Sequence, residues 1–144
     1  MYANAAVIQA LGGRRILKRE VSDDNDLREM IRAGLPFASF SYVMQKFGLK
    51  NTEASAIVNV PIRTIARRKK EKKLRPVESD RLVRVARIGS IAESVLGSEA
   101  KAAAWLREPN RALNGVTPLQ ILDNDIGIKQ VEEILGRIEY GVYS

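Results

Sequence analysis

Within positions 63–70 of the chain stand Arg63, Thr64, Arg67, Arg68, Lys69 and Lys70, a set whose available chemistry is the recognition of an anion. An arginine can bond guanine through two parallel hydrogen bonds, and each lysine or arginine set on a phosphate releases condensed counterion. The surrounding charge is equally concentrated. Residues 63–87 carry 11 basic and 3 acidic side chains, a net +8, whereas residues 91–144 carry 5 and 8, a net −3, within a total of +7. A solvated lysine-rich helix face or a charged linker has the same composition, so the elements around the run decide its meaning.

Other chemistry is poorly supplied. The 144 residues include no Cys and no His, which removes disulfides, thiolate or imidazole metal ligands, cysteine nucleophiles and Ser-His-Asp triads. Asp123 with Asp125 reads as capping at a helix start, and Glu132 with Glu133 as solvated positions, rather than as catalytic carboxylate pairs. No phosphate-cradling GxxxxGK[ST] loop is present. We therefore expect no catalytic residue, no metal site and no cofactor: the chain reads as a binding protein and not an enzyme. Its apolar stretches are at most five residues long, against roughly 20 for a membrane span. The opening MYANAAVIQALGGRR lacks a basic region ahead of an apolar run, so a soluble, cytoplasmic protein with no membrane partner is expected.

Apolar residues recur at helical spacing between clear stop signals, and the fold class expected is all-α: an N-terminal helix-turn-helix lobe and a small helical C-terminal lobe joined by a long helix. Residues 1–21, broken at Gly12-Gly13, read as a loosely packed arm, 22–77 as the DNA-binding lobe, and 78–144 as the connecting helix with the second lobe. Ser22 and Asp23, Asp24 and Asp26 suit a helix start, and that helix runs to Gly34. Pro36 then sits in the first turn of a helix that buries Phe37, Phe40, Val43, Met44 and Phe47 and stops at Gly48. In KNTEASAIVNVPIRTIARRKKEKK (50–73), a short helix from Asn51 to Val58 meets a tight turn at Asn59-Val60. Asn59 tolerates the left-handed conformation, and Pro61 begins the second helix. Ile62 and Ile65 are expected toward the core. Arg63 and Thr64 are placed for base edges, with Arg67, Arg68, Lys69 and Lys70 on or near the exposed face.

Past the break at Leu74-Arg75-Pro76, an amphipathic helix runs from about Glu78 to Gly97. Ser98 caps a short helix holding Trp105, Thr117-Pro118-Leu119-Gln120 forms a capping box, and a last helix carries Ile128, Val131, Ile134, Leu135 and Ile138 to Gly141. Trp105 suits the core better than an interface.

AAWLREPNRALNGVTPLQIL (103–122) and VEEILGRIEYGVYS (131–144), downstream of RTIARRKK (63–70) and ESDRLVRVAR (78–87), closely resemble the Xre-type antitoxins of bacterial RES–Xre toxin–antitoxin pairs. The resemblance covers roughly residues 34–144. The family string WL-x-x-PN-x-x-L-x-G-x-x-P is met by Trp105, Leu106, Pro109, Asn110, Leu113, Gly115 and Pro118. Asn59 stands where the family turn usually has glycine, and Pro61 where a small capping residue is usual. The resemblance implies a homodimer that binds operator DNA as autorepressor and covers the active site of a RES-domain toxin that degrades NAD; NAD is then the toxin's substrate and is not bound by this chain. Toxin-binding residues implied are Trp105, Asn110, Glu139, Tyr140, Gly141, Val142, Tyr143 and Ser144, the last few forming a short aromatic tail. Two other readings fit the residues: a stand-alone helix-turn-helix transcription factor with a dimerising C-terminal lobe, and a basic interaction module without a specific DNA target.

Overall fold

A computed structural model describes residues 4–141, and all their regular elements are helical. The α-helices are α1 (Asn4–Ala10), α2 (Gly13–Leu17), α3 (Asp24–Ala33), α4 (Phe37–Phe47), α5 (Asn51–Val58), α6 (Ile62–Glu71), α7 (Pro76–Leu96), α8 (Glu99–Leu106) and α9 (Asp125–Glu139). Single 3₁₀ turns cover Arg111–Leu113 and Leu119–Ile121.

The local signals act much as expected. The α3 cap falls at Asp23, whose carboxylate accepts the Asp26 amide at 2.8 Å, while the Ser22 amide and hydroxyl both donate to the Asp26 carboxylate at 3.0 Å. These bonds hold the Asp26 carboxyl below the usual range. Pro36 precedes α4 and Gly48 closes it in the left-handed conformation. Phe40, Val43 and Phe47 are buried, with Phe37 and Met44 partly buried beside them. The long helix begins two residues earlier than expected because Pro76 takes its first position, where a missing N–H costs nothing.

Helix α7 is the centre of the molecule. Ala86, Ile88 and Ala92 have no exposed surface, and a Cβ at Gly89 would collide with the Phe47 ring, so α4 packs directly on the α7 backbone. On another side, Arg81 donates to the Asp123 carbonyl at 3.2 Å, Arg84 pairs with Asp125, and Arg87 reaches Glu132 at 2.9 Å. Partners advance in the same order along both helices, so α7 and α9 lie side by side in the same direction. Buried residues from α1 through α9 form one continuous cluster. The helix expected to join two lobes does so as the spine of a shared core.

The expected loose arm is the principal correction. Gly12-Gly13 interrupts the helix as anticipated, but Val7, Ala10, Leu11 and Leu17 are buried, and the fully buried Ser39 hydroxyl donates to the Leu11 carbonyl at 2.7 Å. Helices of seven and five residues are too short to display a period, and their stability comes from packing on the rest of the fold. Leu11→Ala should therefore cost about 3 kcal/mol in urea unfolding. A loss under about 0.5 kcal/mol, as for an unpacked surface position, would contradict this assignment.

Candidate functional site

The turn between α5 and α6 is built from local chemistry. Asn59 has φ 59° and ψ 45°; the Ser55 hydroxyl donates to the Val60 carbonyl, and the Val60 amide returns to the Ser55 carbonyl at 3.1 Å. Pro61, extended at φ −61° and ψ 154°, precedes the first residue of α6. The departures at Asn59 and Pro61 thus satisfy the backbone that the motif requires. Behind α6, the Leu74 amide donates to the Leu35 carbonyl at 2.9 Å and the Phe37 amide to the Lys72 carbonyl at 3.1 Å, tying its exit to the entry of α4.

Arg63, Arg67, Lys69 and Lys70 lie exposed on α6, and Thr64 is half-buried on its flank. Arg68 does not belong to that surface. It is 8% exposed, and its guanidinium donates to Glu78 at 2.8 and 3.2 Å and to Glu71 at 3.2 Å. At 3.6 residues per turn, Arg68 sits one turn beyond Thr64 on the side facing the start of α7. The reverse correction applies to Ile62: expected in the core, it is 48% exposed, while Ile65 is partly buried. Arg81, Arg84 and Arg87 also serve internal pairs with the α9 region. The exposed cations from α6 to the start of α7 are Arg63, Arg67, Lys69, Lys70, Lys72, Lys73 and Arg75; Arg87 is exposed as well but reaches Glu132.

Glu78 is 5% exposed and occupies the third position of α7, where its carboxylate also accepts the Arg75 amide at 2.9 Å. Burial alone would push its pKa up, but the hydrogen bonds from Arg68 and the Arg75 amide, with the two positive charges, hold it below the usual range. Glu53 plays the same part in α5. It accepts the Lys50 amide at 2.7 Å and both terminal nitrogens of Arg107 at 2.6 and 2.8 Å, and Arg107 chiefly holds its pKa down. Arg107 donates as well to the Gly48 carbonyl, so a residue inside the WL-x-x-PN string clamps the first helix of the turn motif. Sequence reasoning missed this contact.

In the C-terminal part, the Ser98 hydroxyl accepts the Lys101 amide at 3.1 Å and starts α8, on which Trp105 is partly buried against the core. Asn110 caps the following 3₁₀ turn by accepting the Ala112 amide at 3.0 Å. Leu106, Leu113 and Pro118 are buried, so most of the diagnostic string builds the loop itself. Thr117 and Gln120 form the expected reciprocal cap, at 2.8 and 3.2 Å, over a single 3₁₀ turn rather than a full helix. A Cβ at Gly127 would collide with the Ile121 carbonyl, which explains the close seating of α9 on that turn. Beyond the buried face of α9, Glu139, Tyr140 and Gly141 are exposed, Tyr140 by 80%. Val142, Tyr143 and Ser144 lie outside the described residues. Among the described residues no helix is long and apolar enough to cross a membrane.

Residues 26–87 match the family model described as the antitoxin Xre-like helix-turn-helix domain, and residues 92–141 match that of the antitoxin Xre/MbcA/ParS C-terminal toxin-binding domain. A Pseudomonas putida protein named antitoxin Xre is 34% identical over 85% of this chain and 76% of its own length. Proteins of that name from Photorhabdus laumondii and Yersinia enterocolitica are 32% and 29% identical, over 82% and 67% of this chain and 81% and 66% of their own lengths.

The depressed Glu78 carboxyl gives a pH test. Its ionised form stabilises the fold fully above the unfolded value near 4.5, and that contribution disappears as pH falls through the lower folded value. Glu78→Gln should cost about 2 kcal/mol at pH 7 by taking from buried Arg68 the nearer of its two carboxylates, with Glu71 alone remaining. The gap to the parent protein should narrow below pH 4.5 in parallel denaturant titrations. A gap independent of pH would remove Glu78 from this role.

Proposed function

Because the chain belongs to the Xre antitoxin family, we propose that it neutralises a RES-domain toxin by covering its NAD-degrading active site and represses its own operon by binding operator DNA. It acts as a cytoplasmic homodimer, by binding and not by catalysis. The observation that carries this reading is the division of the molecule along α7. The exposed cations of α6 gather near the Pro76 end, whereas the parallel register of α7 and α9 carries Tyr140 toward the Leu96 end. A helix of 21 residues separates the two ends by roughly 30 Å. One end thus suits a nucleic acid, and the matched toxin-binding domain supplies the other.

On the DNA side, Arg63 reaches a base edge, and Arg67, Lys69 and Lys70 neutralise phosphates; Thr64, half-buried, contacts the backbone from the flank of α6. Two recognition helices related by a two-fold axis then read half-sites about one helical turn apart. On the toxin side, Tyr140 is the exposed aromatic anchor, Glu139 offers charge to a cleft that binds an anionic dinucleotide, and Gly141 and residues 142–144 continue the contact. Trp105, carried on α8, and Asn110, in the loop after it, complete the proposed toxin-binding set.

Co-expression with the adjacent open reading frame, read out as growth, cellular NAD and co-purification, tests the whole. Rescue of growth with preserved NAD is expected; an adjacent product that neither impairs growth nor co-purifies would defeat the antitoxin reading. Arg63→Ala should weaken operator binding by about 1–3 kcal/mol and relax sequence preference, and Lys70→Ala should weaken all duplexes alike and lower the salt slope by about one. Both variants should still neutralise the toxin. Tyr140→Ala, or removal of residues 142–144, should restore NAD loss in the complex and leave DNA binding unaltered. Full neutralisation by both would move inhibition to the body of the C-terminal lobe.

A further inference from the structure

Ile62 is the first residue of α6, yet 48% of it is exposed. With 3.6 residues per turn, Ile62 and Ala66 share one sector of the helix with Arg63, Arg67 and Lys70, and all five are exposed. The buried pair of Arg68 with Glu78 holds this roll in place, because turning Ile62 inward would carry Arg68 out. The outward face therefore has an apolar edge set directly into its most cationic part. Behind it lies a groove of about 690 Å³ between α4 and α6, lined by Phe37, Met44, Leu49, Ile62, Ile65 and Ala66.

We propose that Ile62, with the small Ala66 beside it giving clearance, reads thymine in the operator by packing against the 5-methyl group that thymine shows in the major groove. The inference rests on the DNA-binding role and adds a specificity determinant to it. Charge selects the occupant of this edge: an apolar protein surface docked here would desolvate Arg63, Arg67 and Lys70, whereas a duplex gives those cations phosphates and guanine edges. The thymine methyl is the apolar group that the major groove offers at that depth, and residues in the first turn of a recognition helix are the ones that reach base edges. The arginines and lysines of α6 supply hydrogen bonds and charge, which cannot distinguish thymine from deoxyuridine, the base that differs from it only in the methyl.

The test uses the full chain and a random duplex pool from which the protein selects its own site. Thymines of the enriched site are then replaced one at a time by deoxyuridine, which removes only the methyl. At the position under Ile62 the replacement should weaken parent binding about fourfold, the loss of one buried methyl contact. Ile62→Ala should bind the thymine and deoxyuridine duplexes equally, and its circular dichroism and sedimentation should match the parent. An enriched site at which every deoxyuridine replacement is silent, or has the same effect in Ile62→Ala, overturns the inference and leaves DNA binding standing. Equal weakening on all duplexes together with altered sedimentation would place Ile62 in a protein contact and also overturn it. Failure of the pool to enrich any sequence removes the specific DNA-binding reading and this inference with it.

Discussion

The buried pairing of Arg68 with Glu78 sets which side of α6 faces outward. A guanidinium this far from water is tolerated because a carboxylate and Glu71 meet its donors and because Glu78 is itself fixed as the cap of α7. One interaction thereby specifies the roll of the recognition helix and its attachment to the central helix. A hydrophobic residue at position 68 would pack as well but would fix the roll less sharply, since apolar contacts are not directional. The arrangement at Glu53 repeats the device: a glutamate in the first turn of a helix accepts the amide of the residue three positions earlier and a distant arginine, here Arg107 from the C-terminal region.

These pairs alter the meaning of the charge distribution. The excess of cations between residues 63 and 87 divides into arginines engaged within the fold, Arg68 buried against Glu78 and Arg81, Arg84 and Arg87 in partly exposed contacts with the α9 region, and the exposed cations of α6 and the turn after it. Composition adds the two sets together; only placement separates them. Arg68 suits the buried position because its planar fork meets two carboxylates at once, while the lysines, compact charges on flexible stems, remain outside with Arg63, Arg67 and Arg75.

What could be read from the sequence was what backbone geometry dictates locally. Asn59, Pro61, Gly48 and Ser98 each restrict or cap a few neighbouring residues, and the helix boundaries fall within a residue or two of the expected positions, although the cap of α9 is Asn124, which accepts the Gly127 amide, where Asp123 with Asp125 was expected. Arg68 was unreadable because its partner lies ten residues away across a proline break, and within a basic run it looks like its neighbours. Arg107 and Glu53 are 54 residues apart. The burial of α1 and α2 was hidden for another reason: seven and five residues contain too little pattern, and the surface that accepts them is assembled from α4 and α7. The candidate DNA surface was therefore legible as a segment but not as a face. Of the C-terminal string, the loop-building residues were legible as a signature, while their structural work emerges only from the hydrogen bonds of Asn110, Thr117 and Gln120.

The seating of both α1 and α9 on α7 has a consequence for the order in which contacts can form as the chain is synthesised. Helix α1 precedes by more than 60 residues the α7 surface on which it packs, and α7 precedes α9, which covers its other side. The N-terminal helices therefore find their packing surface when α7 is made, and the far side of that helix is covered later, when α9 joins it.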